Sequence, residues 1–142
     1  VVDKNPETRK AKEFADRYRG RVKLCIFTRG IKGRMFGKPK EDDDDLPDEY
    51  TFSVDRTSWL DMSLGRFRNK TISLPIDTNL EYREDLKNIT KTYTKDADGN
   101  PLAKYVTGQN LSDHYAFART YCEMALSFIP VVGATQDLEE VP

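Results

Sequence analysis

The opening stretch VVDKNPETRKAKEFADRYRGRVKLCIFT, residues 1–28, restricts the possible folds more than any other part of this chain. Val1-Val2 read as the end of a buried strand. Residues 5–19 read as a helix, with Asn5 a good N-cap, Pro6 suited to the first turn and Gly20 to the C-terminal stop. Ala11, Phe14, Ala15 and Tyr18 fall on one face of it at helical spacing. RVKLCIFT (21–28) then alternates and is rich in β-formers, which predicts a strand. Strand end, helix and strand in that order form the back half of a βαβ unit. Such a unit implies a parallel pair inside an α/β sheet. With 142 residues the chain is most simply one domain.

Beyond residue 28 the pattern breaks and resumes. Residues 29–49 combine a basic, glycine-rich run (RGIKGRMFGKPK) with an acidic one (EDDDDLPDE), and read as a long loop or mobile excursion. YTFSV (50–54) predicts a short strand. Asp55 or Thr57 then caps a helix with Leu60, Leu64 and Phe67 in one row. TISLP (71–75) predicts another short strand, ended by Pro75. A helix over 79–88 is expected to turn Leu80, Leu86 and Ile89 inward. Two alternating runs in 89–106 flank Asp98-Gly99-Asn100, which predicts a β-hairpin. Ser112 then caps a last helix with Asp113 in its first turn. His114, Phe117, Ala118, Tyr121, Ala125 and Phe128 line one face of that helix. The tail past Pro130 is too polar to pack and reads as disordered.

Composition sets limits. A net charge of -1 rules out a polycation that holds nucleic acid by bulk charge, yet leaves room for a local basic face. No run approaches the roughly 20 apolar residues of a membrane helix, so no membrane partner is expected. Cys25 and Cys122 make neither a disulfide framework nor a zinc motif, and both read as small buried residues. The chain opens on Val1-Val2 without a Met, so a piece of a longer protein is expected.

Two carboxylates stand at the joints between lead-in and helix, Asp3 and Asp113. Their plain reading is structural. An acid in the first turn of a helix stabilises its dipole by ~0.3–1 kcal/mol, and Asp followed by Asn-Pro is a turn sequence. Their functional reading uses the same geometry, because a strand end running into a helix lies at the carboxyl edge of a sheet, where α/β folds place their sites. Carboxylates that converge there repel each other unless a divalent cation lies between them. His114, the one histidine, reads first as a core-edge residue and second as a ligand or proton carrier. The EDDDD run reads as a solvated loop, since consecutive carboxylates rarely point at one centre and the spacing of a calcium loop is missing. Basic side chains gather in the loop (Arg29, Lys32, Arg34, Lys38, Lys40) and on or beside the middle helix (Arg56, Arg66, Arg68, Lys70). They suit phosphate contacts or plain solubility.

In order and spacing, VVDKNPETRKAKEFADRYRGRVKLCIFT, VDRTSWLDMSLGRFRNKTISLP and LSDHYAFARTYCEMAL resemble the C-terminal nuclease domain of tailed-phage terminase large subunits, the DNA-packaging motors of those viruses. The resemblance spans about residues 1–128 and is weakest across 29–49. It implies an α/β, ribonuclease H-like mixed sheet flanked by helices, with the hairpin as an addition. Residues 1–130 would form the nuclease domain, N-terminally incomplete, and 131–142 a flexible tail. Family members place three acids around two Mg2+ or Mn2+ ions and cut concatemeric double-stranded DNA. Asp3 matches the second acid and Asp113 the third, with Asn5 and His114 as supporting neighbours. The first acid belongs on a strand upstream of Asp3, so the chain is expected to be part of the domain. Asp55 and Asp61 are discounted as substitutes. Arg29, Lys32, Arg34, Lys38, Arg66 and Arg68 would hold the DNA backbone. The partners implied are double-stranded DNA and, through the full-length protein, the portal protein and the small terminase subunit, in the host cytoplasm. Two other classes stay open: a non-catalytic docking module of the motor, and a different α/β enzyme such as a phosphatase-like hydrolase.

Overall fold

A computed structural model describes residues 1–28, 36–37 and 50–129. Three parallel strands form its central sheet: β1 (Val2–Asp3), β2 (Leu24–Thr28) and β3 (Thr51–Asp55), in the spatial order β1-β2-β3. Between β1 and β2 the chain crosses over through α1 (Thr8–Arg17). The βαβ half-unit expected from residues 1–28 is therefore present, and the fold is α/β. Strand side chains alternate between two faces, and the register puts Cys25 beside Phe52 and Phe27 beside Val54. Those four face α2 (Arg56–Arg68) and α4 (His114–Leu126), where Trp59 and Met124 complete the core. Leu24 faces the other way and packs with Val22 against Ala15 of α1.

A second unit is built from α3 (Leu80–Asn88) and an antiparallel hairpin of β4 (Ile89–Lys95) and β5 (Pro101–Thr107). The hairpin forms its own two-stranded sheet and does not join the parallel one, so among the described residues it stands as an addition beside the three-stranded sheet. Leu60, Ile89, Tyr105 and Ala116 make the core that ties this unit to α2 and α4. The turn is held by Asp96, whose carboxylate accepts from the backbone N–H of Asp98 and Asn100. Gly99 takes the positive φ (82°) that an L side chain resists.

Several expectations fail for identifiable reasons. The first helix starts at Thr8, and Asn5 accepts from the Thr8 hydroxyl rather than capping it. Phe14 and Tyr18 stay half-exposed, packed on each other, and only Ala15 of that row is buried. No strand forms at 71–75. The segment leaves α2 through a Schellman turn, with Thr71 N–H bonded to Arg66 O and Lys70 N–H to Phe67 O, and then finds no strand to pair with. Leu80 is 69% exposed, while Asp85, five residues later, is 3% exposed. Cys122 is exposed as well, although Cys25 is buried. On α4 the fully covered residues are Ala116, Thr120, Glu123 and Met124, so the helix is turned relative to the expected face. The loop cations Arg29, Lys32, Arg34 and Lys38, the EDDDD run and the tail lie outside the described residues.

Candidate functional site

All three parallel strands end at one edge of the sheet. β1 delivers Asp3 there, β3 delivers Asp55, and α4 comes back across the molecule to bring Asp113. Asp3 and Asp113 line the same cleft, of about 490 Å3, together with Phe27, Arg56, His114, Phe117, Ala118 and Tyr121. Two carboxylates 110 positions apart in sequence (113 − 3) thus share one concavity. His114, Phe117, Ala118 and Tyr121, four of the six residues expected to line one helix face, form its α4 wall.

Each carboxylate is held by neutral donors. The Tyr121 hydroxyl donates to Asp3 Oδ2 at 2.9 Å, and the Asn5 backbone N–H donates to Asp3 Oδ1 at 2.9 Å. Asn5 therefore touches Asp3 through its backbone. Burial, and then the charge of Asp3, push the Tyr121 phenol far above its ordinary range, so it remains a donor at neutral pH. Asp113 takes a short hydrogen bond from the Thr107 hydroxyl of β5.

The plain reading of Asp113 as a helix cap receives an unexpected answer. Asp113 occupies the N-cap position of α4, but its side chain makes no capping hydrogen bond. The service comes from Asp85 on α3. Its Oδ1 accepts from Ala116 N–H at 3.1 Å and its Oδ2 from the Ser112 hydroxyl at 2.7 Å. A buried acid on a neighbouring helix thus satisfies the α4 N-terminus and leaves the Asp113 carboxylate turned to the cleft and Thr107.

Arg56 is the cation of the cleft. The sequence grouped it with the basic residues of the middle helix without assigning it to the site. It is the first residue of α2, and its guanidinium lies 4.7 Å from the Phe117 ring centroid. A neighbouring cavity of about 470 Å3 shares Phe27 and Arg56 and adds Asp55, Thr57 and Lys104. Asp55 itself caps α2, accepting from Ser58 N–H at 2.8 Å. Asp61 binds Lys91 Nζ at 2.6 Å and the Tyr105 hydroxyl at 2.8 Å.

Arg66 and Arg68 lie away from this cleft. Arg66 reaches Glu123 at 3.1 Å, and Glu123 is 3% exposed and also paired with Arg119. That pairing gives Arg66 a structural partner, which the sequence reading did not foresee. Arg68 lines a separate cavity between α2 and the hairpin.

Among the described residues no three His, Cys, Asp or Glu side chains cluster closely enough to hold a metal ion. The cleft offers the carboxylates of Asp3 and Asp113, with His114 beside them. Carboxylate oxygens are the hard donors that a divalent cation takes, its other positions being filled by water or substrate oxygens. A second ion would need a further carboxylate from outside these residues. Compared with known protein families, curated proteins and solved structures, this chain matches none.

Proposed function

We propose that the cleft is a divalent-cation site for phosphodiester hydrolysis, and that the protein is a DNA endonuclease of the kind found in terminase large subunits, on a ribonuclease H-like fold. What carries this reading is the meeting of Asp3 and Asp113, from opposite ends of the described chain, in one cleft that also contains an arginine. Neither carboxylate caps its helix through its side chain, and each is oriented by hydroxyl or backbone donors.

Asp3 and Asp113 would hold Mg2+ or Mn2+. When bound, the ion supplies Lewis acidity that lowers the pKa of an attacking water and offsets charge on the phosphate. The remaining work falls to the protein. Tyr121 and the Asn5 N–H fix the Asp3 carboxylate, so that little reorganisation is needed on binding. Thr107 does the same for Asp113 and links the cleft to the hairpin. Arg56, braced on Phe117, offers a planar guanidinium to a phosphate oxygen. His114 lines the cleft next to Asp113 and can contact the substrate there. None of these groups reads a base, so cleavage would be largely independent of sequence.

The test is Asp113→Asn in the intact protein. The substitution keeps an oxygen for the Thr107 hydroxyl and removes the charge. Mn2+-dependent nicking of supercoiled plasmid should fall by about 100-fold or more. The thermal melt should move little, since α4 is capped by Asp85. Calorimetry should show Mn2+ binding weakened alongside. A variant that nicks as well as the parent removes Asp113 from the chemistry. Absence of Mn2+ binding by the parent at millimolar metal favours a docking module instead.

A further inference from the structure

A larger cavity, of about 820 Å3, lies at the C-terminal half of α2, whereas the acidic cleft meets that helix at its first residue, Arg56. Its walls come from the C-terminal half of α2, the extended segment 72–74, α3 and the base of the hairpin. Leu64, Phe67, Ile72, Leu74, Leu86 and Ile89 give it an apolar lining. Four cations, Arg68, Arg83, Lys87 and Lys91, also line it, and among the described residues no carboxylate does.

Two of those cations are already engaged by acids. Lys91 pairs with Asp61 at 2.6 Å and Lys87 with Glu84 at 2.8 Å. The arginines differ. Arg83 is anchored by Nη2, which donates to the carbonyls of Pro75 (3.2 Å) and Ile76 (2.9 Å). Its Nε–H is buried and has no hydrogen-bond partner among the described residues. The Arg83 guanidinium, fixed by those two carbonyls, puts an immobilised positive charge at the cavity wall that an anion can meet. Arg68 adds a second positive group across the same space.

The lining decides the ligand class. A bare nucleic-acid phosphate is strongly hydrated and has nothing to place on six apolar side chains. A ligand with an apolar body and one acidic group satisfies both parts of the wall. The volume falls within the ~300–1,000 Å3 of small-molecule sites. We propose that this cavity binds a small amphipathic anion, an aromatic or aliphatic carboxylate or sulfonate, its body on Leu64, Phe67, Leu74 and Leu86 and its acid group on Arg83 and Arg68.

The probe is 8-anilinonaphthalene-1-sulfonate, titrated into the intact folded protein at neutral pH. One saturable site is expected by fluorescence. Affinity should drop at least tenfold in Arg68→Met, which keeps the apolar stem and removes the charge, while uncharged N-phenyl-1-naphthylamine binds parent and variant alike. Backbone amide shifts on the parent provide a readout that needs no variant. They should centre on residues 64–68, 72–74 and 83–91. No saturable binding, equal binding of the sulfonate to parent and variant, or shifts centred on Asp3 and Asp113 would each overturn the proposal. So would probe binding that declines as protein concentration rises, which would mean that a second copy fills the space.

Discussion

Lys70 sits just past the end of α2 with φ at 54°, in the left-handed region where a Cβ costs energy and glycine does not. It is held there by the two turn hydrogen bonds at Phe67 and Arg66 carbonyls. Lys70→Gly should therefore stabilise the fold by about 0.5–1 kcal/mol, after allowing for the extra freedom of glycine in the unfolded chain. Urea melts read this directly, and a destabilised variant would show that the lysine side chain contributes something its backbone position does not. At the same scale, Asp3 and Asp113 were legible in the sequence as acids at helix mouths. Their partners were not. Tyr121 lies 118 positions from Asp3 and was visible only as one aromatic on a helix face. Arg56 follows a capping aspartate, and nothing local says that its side chain turns toward α4.

α4 depends on α3 for its beginning. Asp85 is 3% exposed and accepts from both the Ser112 hydroxyl and the Ala116 N–H. Asp85→Ala strands the Ala116 N–H of a helix N-terminus and removes the acceptor of the Ser112 hydroxyl. The expected loss is about 2–3 kcal/mol, read by urea denaturation. A loss under about 0.5 kcal/mol would mean that water or Asp113 takes over the cap. The sequence located the four helices of the described residues and the hairpin, because periodicity, caps and turn residues are local properties. It erred where an element's state depends on a neighbour. TISLP has the composition of a strand, but a strand exists only if another offers a free edge. Likewise, residues 79–88 gave no sign that their buried member is an acid, since that acid is buried by its bond to α4.

Among the described residues, four proton-releasing groups in or beside the packed interfaces, Cys25, Tyr82, Tyr105 and Tyr121, are raised by burial. Burial, then the charge of Asp3, raise the Cys25 thiol from 9.0 to about 12. Burial, then Asp61, raise the Tyr105 phenol from 10.0 to about 12, and Tyr121 is raised further by burial and Asp3. Each folded-state pKa is above its unfolded value, so the folded chain keeps protons that the unfolded chain gives up in alkali. The stability contributed by the neutral forms is whole below about pH 9 and drains away as pH rises through about 12. Thermal melts should thus be flat between about pH 7 and pH 8.5 and fall steeply above about pH 10. A melting temperature that holds at about pH 11 would contradict the burial of these groups.

The sequence by itself determined the α/β class, the parallel pairing of the opening half-unit, the hairpin and the two acids at helix mouths. These follow from short-range rules of period, turn and cap. Only tertiary structure decided that the hairpin forms a separate sheet, that Asp85 caps α4 in place of its neighbours, and that Asp3 and Asp113 face one cleft. Those outcomes depend on how α2, α3 and α4 pack, and packing is settled by the joint burial of residues such as Leu60, Ile89, Tyr105 and Ala116. No window of sequence contains all four, so the energy that brings the two acids together has no local signature.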